Sequence, residues 1–221
     1  MIEAMILKED GKGYVATDAN NSIFTWSLSR DHPTQLTDAA GHDTQPAWSS
    51  DGSKVAFIRE DLARAEYRSD LCVISSEGKG SLVPKALTSS PADRRSPAWS
   101  PDSEHIAYIW RDAKRGPYAV GQLAVLTIDT GEERVLTKEH DRTITSFRYS
   151  ADGRFIYFLF DNEGGSHLAR IELQTGNIET LLSDERYVTN FDISADGHVA
   201  LNMKSMNDAA EIYSMKGDRL T

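Results

Sequence analysis

The chain has 221 residues with 34 acidic and 24 basic side chains, and its net charge of −10 argues against nucleic-acid binding, which depends on neutralising phosphates. A single cysteine, Cys72, excludes an internal disulfide and a structural zinc site. No apolar run is long enough for a transmembrane helix and the acidic start lacks a signal-peptide pattern, so we expect a cytoplasmic protein without membrane partners.

A motif built around an Asp-Gly-like turn recurs along the chain every 41 to 51 residues. The copies read, in chain order, MILKEDGKGYVAT, PAWSSDGSKVAFI, PAWSPDSEHIAYI, FRYSADGRFIYFL and FDISADGHVALNM. A Leu-Thr or Leu-Leu pair closes each unit. Two landmarks with one period predict five repeats, at about residues 1–37, 38–88, 89–137, 138–182 and 183–221.

Each unit is predicted to form four short antiparallel strands, because its β-branched and aromatic residues alternate between turn signals. In the second unit the predicted strands are Thr44–Ser49, Lys54–Glu60, Asp70–Ser75 and Pro84–Thr88. The turns combine aspartate, which hydrogen-bonds forward to the backbone, with glycine, which accepts a positive φ. Four-stranded units of this length predict an all-β fold, a β-propeller of about five antiparallel blades in a single domain.

The loops of these units differ in length between the two faces of the predicted propeller. The turns between strands one and two and between strands three and four are tight, and we call their side the tight-turn face. The remaining connections are longer and form a long-loop face, where we expect binding residues because rigid scaffolds present function on loops. The candidates are Arg64, Tyr67, Arg94, Arg95, Arg115, Tyr118, Arg142, Arg186 and Tyr187. Solvated loop charge is the alternative interpretation of each.

Catalytic and metal-binding motifs are absent from the sequence. It contains no G-x-S-x-G nucleophile elbow and no HGG-type oxyanion sequence, so no catalytic residue is predicted. Six scattered histidines without an HExxH pattern predict no metal ligand, and no cofactor is expected. Four carboxylates in inter-blade loops leave a carbohydrate-active enzyme open; these are Asp43, Asp93, Asp141 and Glu185.

One pair of charged residues predicts a contact between blades. Ala47, Ala98, Arg148 and Asp192 occupy the same position of the first strand in successive units. We expect Arg148 and Asp192 to form a buried ion pair between the fourth and fifth blades. Removing either partner of such a pair is predicted to be strongly destabilising.

The repeats PAWSSDG, PAWSPDS, RYSADG and DISADG, each followed by a strand and a later Leu-Thr, resemble the TolB-type propeller repeat. The pattern is most similar to the propeller of the prolyl oligopeptidase family of serine peptidases, in particular acylaminoacyl-peptidase-like and dipeptidyl-peptidase-like enzymes. DGKGY at Asp10–Tyr14 resembles the middle of such propellers, and residues 188–221 resemble their last blade.

The resemblance implies a seven-bladed propeller followed by an α/β-hydrolase domain, of which this chain holds about five blades and no hydrolase domain. The implied function is a non-catalytic domain that limits access to short peptides, with the hydrolase domain of the same polypeptide as its partner. A truncated propeller would expose strand edges and apolar faces, so we expect a homo-oligomer. The alternatives are a stand-alone TolB-type protein-binding propeller and a five-bladed carbohydrate-active enzyme.

Overall fold

The computed structural model describes residues 8–9, 13–14, 21–27, 29, 31–37, 41–60, 68–76, 83–162, 164–183, 186–217 and 219–221. These described residues form twenty strands and one 3-10 helix. The strands of the first unit are short and form two separate hairpins. They are β1 (Lys8–Glu9), β2 (Gly13–Tyr14), β3 (Phe24–Thr25) and β4 (Thr34–Gln35).

The next four units each form a four-stranded antiparallel sheet, and we call these sheets blades 2 to 5. Blade 2 contains β5 (His42–Trp48), β6 (Lys54–Glu60), β7 (Ser69–Ser75) and β8 (Lys85–Ala86). Blade 3 contains β9 (Ala92–Trp99), β10 (His105–Asp112), β11 (Gln122–Thr127) and β12 (Glu133–Val135).

Blade 4 contains β13 (Ile144–Tyr149), β14 (Phe155–Asn162), β15 (Gly165–Glu172) and β16 (Ile178–Leu182). Blade 5 contains β17 (Tyr187–Ile193), β18 (Val199–Lys204), β19 (Glu211–Lys216) and β20 (Arg219–Leu220). A single parallel bridge between Ser166 and Tyr187 joins blades 4 and 5 into one continuous sheet. The all-β prediction with four-stranded antiparallel blades is therefore confirmed.

The core lies between the blades, because the middle strands are apolar on both faces. On β10, Ile106 and Tyr108 pack against blade 2, whereas Ala107 and Ile109 pack against blade 4. The same alternation along β6 and β14 produces successive apolar layers from the first unit to blade 5. Since side chains of a strand point alternately to opposite faces, one strand serves two interfaces. Burying these residues on both faces is the main stabilising contribution to the fold.

The tight turns between the first two strands follow one local design. In blade 2, Ser49 donates to Asp51 Oδ1 (2.6 Å), and the same carboxylate oxygen accepts the Ser53 N–H (2.9 Å). These hydrogen bonds, led by the one from Ser49, lower the pKa of Asp51 to about 2. Gly52 follows with φ of 72°, a conformation that glycine adopts without steric cost. Serine and aspartate recur in the corresponding turns of blades 3, 4 and 5.

The first strand of each blade carries a β-bulge, visible as a register shift against the second strand. In blades 2 and 3 the bulge places Gln45 and Ser96 at a φ of 54°. The Ser96 N–H donates to Gln45 Oε1 of the neighbouring blade, so the bulges also connect adjacent blades. Bulges bend a strand and redirect its side chains, so the first strand of each blade is curved.

The predicted Arg148–Asp192 ion pair is wrong. Both side chains are exposed, and no ion pair joins them in the described part of the chain. The Arg148 guanidinium instead donates to the Phe147 carbonyl (2.8 Å) and lies 6.0 Å from the centre of the Phe191 ring. The two positions face outward because the residues before them, Phe147 and Phe191, are the ones that fill the interface.

Among the described residues, no helix has both the length and the apolar character required to cross a membrane.

Candidate functional site

A pocket of about 310 Å³ opens on the long-loop face where blade 3 meets the connection to blade 4. Its wall includes the end of β10, the start of β11, the 3-10 helix Ala113–Tyr118 and the inter-blade loop. Its lining residues are Trp110, Asp112, Val120, Gln122, Arg115, Lys138, Glu139 and Asp141. The volume lies at the lower end of typical ligand pockets, roughly 300–1,000 Å³.

Local hydrogen bonds hold the two polypeptide segments that border this pocket. Asp112 Oδ1 accepts the Lys114 N–H (3.0 Å), which caps the 3-10 helix at the end of β10. Gln122 Nε2 donates to the Lys138 carbonyl (3.1 Å), which ties β11 to the inter-blade loop. The pocket wall is thus built by side chains that satisfy backbone groups of the loops beside it.

The pocket carries charges of both signs next to an apolar wall. Arg115 and Lys138 supply the positive charges, while Asp112, Glu139 and Asp141 supply the negative ones. A ligand with both a carboxylate and an amino group finds complementary partners here. Trp110 and Val120 supply the apolar part of this lining.

Among the predicted binding residues that the structure describes, only Arg115 lines this pocket. Tyr118 lies at the end of the same 3-10 helix and is 89% exposed. Arg142 follows the pocket residue Asp141, and its Nε donates to Asn162 Oδ1 (2.8 Å). These three residues share one part of the long-loop face.

Arg186 and Tyr187 lie on a different part of the surface, at the start of blade 5. The Arg186 guanidinium lies 4.9 Å from the centre of the Tyr213 ring, and Tyr187 is half-exposed. Arg64 and Tyr67 lie outside the described residues.

The expectation that Arg94 belongs to an exposed loop is wrong. Arg94 lies on β9 with its side chain 0% exposed, and its Nη2 lies 2.9 Å from Glu133 Oε1. Its Nη1 donates to the Ser69 carbonyl of blade 2 (2.9 Å), and Tyr108 donates to the same Glu133 oxygen. Burial, followed by this hydrogen bond to Glu133, raises the pKa of Tyr108. Arg94 is therefore a structural residue that connects two blades.

Arg95 is the neighbour of Arg94 on β9, and its side chain is 49% exposed. Its Nε lies 3.0 Å from Asp93 Oδ2. The difference between the two arginines follows from strand alternation, since successive side chains point to opposite faces.

Of the four carboxylates considered for sugar chemistry, the three that the structure describes each have different surroundings. Asp43 is buried and binds Arg59 through both carboxylate oxygens, at 2.7 and 2.8 Å. Asp93 is held by Arg95, and Asp141 lies in the pocket described above. Glu185 lies outside the described residues.

Among the described residues, Asp102, Glu104 and His105 are a set of potential metal ligands within reach of one another. They lie on the tight turn of blade 3, where Asp102 already accepts hydrogen bonds from Ser100 and from the Glu104 N–H. This arrangement is the same turn chemistry that recurs in the other blades.

The sequence analysis missed several residues of the pocket, in particular Trp110, Gln122 and Lys138. Trp110 ends the predicted strand IAYIW. Gln122 and Lys138 lie 16 residues apart in the sequence, so their proximity depends on how the strands and loops of blade 3 fold together. It also missed an aromatic cluster in which His140 packs edge-on against Phe160 with ring centres 4.7 Å apart. Burial, and then the nearby Arg142, lower the pKa of His140.

No protein-family model matches the chain. A curated relative, dipeptidyl-peptidase 5 of Porphyromonas gingivalis, is 23% identical over 155 residues, which cover 68% of this chain. The match covers 22% of the relative, so the chain spans about a fifth of the length of that protein.

Solved structures resemble the chain over most of its length. A puromycin-hydrolyzing peptidase of Mycobacterium tuberculosis has a TM-score of 0.72 at 16% identity, covering 88% of this chain and 32% of that chain. A putative TolB of Agrobacterium tumefaciens has a TM-score of 0.67 at 20% identity, covering 90% of this chain and 72% of that chain. The chain has the fold of a partial β-propeller.

This propeller is also similar to an oligogalacturonate lyase solved with manganese, with a TM-score of 0.64 at 16% identity. That match covers 91% of this chain and 58% of the lyase. At these identities the similarity is one of fold, and the chemistry has to be argued from the propeller's own residues.

Proposed function

We propose that this propeller is a non-catalytic domain of a serine peptidase and that it admits short peptides to an α/β-hydrolase domain of the same polypeptide. The similarity to dipeptidyl-peptidase 5 supports this proposal, since that relative is several times longer than the matched segment. The absence of a G-x-S-x-G string from these 221 residues agrees with a supporting role for this part of the protein.

The observation that carries the proposal is the mixed charge of the long-loop pocket. A short peptide offers an ammonium group, a carboxylate and apolar side chains within a few ångströms. Arg115 and Lys138 suit the carboxylate, while Asp112, Glu139 and Asp141 suit the ammonium group. A pocket of about 310 Å³ accepts the end of an extended chain but not a folded protein.

The test is to isolate the native polypeptide from source cells with an antibody against this chain and to assay it on short peptides and on folded proteins. We expect a polypeptide several hundred residues longer than this 24.5 kDa chain, with hydrolysis of the short peptides.

In that full-length polypeptide, Arg115→Ala and Lys138→Ala are each expected to raise KM for short peptides by about two- to fivefold. This is the loss of affinity that corresponds to removing one exposed charge contact. Lys114→Ala is the matched control, because Lys114 lies on the same 3-10 helix but does not line the pocket. An equal effect of the Lys114 variant would contradict a role of this pocket.

The TolB similarity favours a second candidate, a propeller that binds a protein partner, because the match covers 72% of that TolB. A native polypeptide near 24.5 kDa without peptidase activity would exclude the peptidase proposal and favour this one.

A further inference from the structure

A cleft of about 250 Å³ lies on the tight-turn face between blades 4 and 5, opposite to the long-loop pocket. Its apolar floor is formed by Phe155, Tyr157 and Ile193, and the two first turns of these blades form its rim. The rim residues are Ser150, Ala151, Asp152, Ser194, Ala195, Asp196 and Gly197.

The same location between blades 2 and 3 is filled by a tryptophan. Trp99 and Ile193 occupy equivalent positions near the end of the first strand of blades 3 and 5. Trp99 pairs with Ile106 of the second strand, and Ile193 pairs with Val199. Trp99 is buried against blade 2, and its indole N–H donates to the Ala47 carbonyl (3.1 Å). The smaller Ile193 leaves the corresponding space between blades 4 and 5 open.

Two hydroxyl groups that close the rim between blades 2 and 3 are also missing from the cleft. Ser50 donates to the Ser100 carbonyl (2.9 Å), and the Asp51 N–H donates to Ser103 Oγ (3.2 Å). At the positions of Ser50 and Ser103, the cleft has Ala151 and Gly197. Three differences in side chain thus turn a packed, bridged interface into an open one.

Two carboxylates flank the cleft. Asp152 Oδ1 accepts from Ser150 (2.6 Å) and from the Arg154 N–H (3.1 Å), while its Oδ2 has no hydrogen-bond partner among the described residues. Asp196 accepts from Ser194, and its Oδ2 lies 3.8 Å from His198 Nε2. Hydrogen bonds from Ser150 and Ser194 are the main cause of a lowered pKa for Asp152 and Asp196, so both are ionised at neutral pH.

Two arginines near the cleft, Arg154 and Arg170, are paired within blade 4. Arg154 lies 3.3 Å from Glu172, and Arg170 lies 2.7 Å from Glu179. Their guanidinium groups pack on the Phe155 ring, with centroid distances of 5.3 and 4.6 Å. The charged side chains among the residues that line the cleft are Asp152 and Asp196, and both are acidic.

We propose that this cleft binds a small organic cation that has a flat aromatic ring and an ammonium group. The ring occupies the space that Trp99 fills between blades 2 and 3, and the ammonium group lies between Asp152 and Asp196. This is a second site, on the opposite face from the long-loop pocket and independent of the function proposed for it.

The proposal is tested by NMR titration of the full 221-residue chain with tryptamine and with indole-3-propionate, which has the same ring but the opposite charge. Tryptamine is expected to shift the backbone amides of Ala151, Ala195 and Gly197 in a saturable way. Indole-3-propionate is expected to leave them unchanged at equal concentration. No saturable shift with tryptamine, or equal shifts with both compounds, would overturn the proposal.

Variants of the rim separate the charge contribution from simple surface contact. Asp152→Asn and Asp196→Asn are each expected to weaken tryptamine binding by about two- to fivefold, while the amide still accepts the turn hydrogen bonds. Asp102→Asn is the matched control, because Asp102 occupies the same turn position in blade 3 but does not line the cleft. A loss of affinity in the control as large as in the rim variants would contradict the site.

Variants of the floor test the steric argument. Ile193→Trp and, as a smaller change, Ile193→Phe are expected to fill the cleft, abolish the tryptamine shifts and leave the remaining amide spectrum folded. If a folded Ile193→Trp or Ile193→Phe variant bound tryptamine as well as the parent chain, the ring would not occupy this space.

Discussion

Both blade interfaces contain an apolar layer, but blades 2 and 3 add charged, hydroxyl and indole groups at strand and turn positions where blades 4 and 5 have smaller side chains. Near the long-loop face, buried Arg94 of blade 3 corresponds to buried Val188 of blade 5. Near the tight-turn face, Trp99 corresponds to Ile193. The ladder register is the same at both ends, so the backbone geometry does not account for the difference.

The comparison shows that one blade geometry supports two kinds of interface. Between blades 2 and 3, directional bonds from Arg94 to the Ser69 carbonyl and from Trp99 to the Ala47 carbonyl specify the relative position of the sheets. Between blades 4 and 5, the apolar layer and the bridge between Ser166 and Tyr187 hold the sheets together. An apolar interface avoids the desolvation of ions but tolerates a gap, and the cleft lies at that gap.

The largest effect is expected from Arg94→Ala. This change leaves Glu133 without its cationic partner, and losing one partner of a buried pair costs about 3–5 kcal/mol of unfolding free energy. Urea unfolding measures it. Arg95→Ala, next to it on β9, is the control and should change stability by less than about 1 kcal/mol because its pair is half-exposed.

A smaller loss is expected from Trp99→Ile, which copies the residue of blade 5 into blade 3. The change removes a buried ring and leaves the Ala47 carbonyl without its donor, at a cost of about 2–3 kcal/mol. Thermal unfolding measures the loss. A stability equal to that of the parent chain would mean that the two interfaces do not differ in the way described.

Ser50→Ala is expected to cost about 1 kcal/mol, because it removes one hydrogen bond between the turns of blades 2 and 3. The reciprocal change Ala151→Ser in blade 4 is the matched variant and should not destabilise the chain, since it adds a hydroxyl group at an exposed position. Equal losses for both variants in urea unfolding would show that the bridge is not specific to blades 2 and 3.

The smallest effect is expected from Arg148→Ala, within about 0.5 kcal/mol of the parent chain, as for exposed positions in general. Arg148 is exposed and its guanidinium contacts the Phe147 carbonyl and the Phe191 ring rather than an acidic partner. A loss of several kcal/mol in the same unfolding measurement would restore the buried pair with Asp192.

Much of the fold could be predicted, because the turn residues and the alternation of apolar residues along each strand are local features of the sequence. The four strands predicted for blade 2 correspond to His42–Trp48, Lys54–Glu60, Ser69–Ser75 and Lys85–Ala86 in the structure. The candidate site was harder to predict. Arg115 lines the pocket, but Trp110 and Lys138 were missed because nothing local to either residue indicates that they share a wall.

The local sequence is sufficient to predict the turns, since Asp51 accepts hydrogen bonds from Ser49 and Ser53, which lie two residues away on either side. It is also sufficient for the alternation that makes both faces of β6, β10 and β14 apolar. Whether Arg94 is a binding residue or a buried one depends on partners 25 and 39 residues away, Ser69 and Glu133. Likewise, a cleft exists where blade 5 has Ile193 at the position of Trp99 in blade 3. The smaller side chain leaves a gap because the packing of the two sheets sets the distance between them.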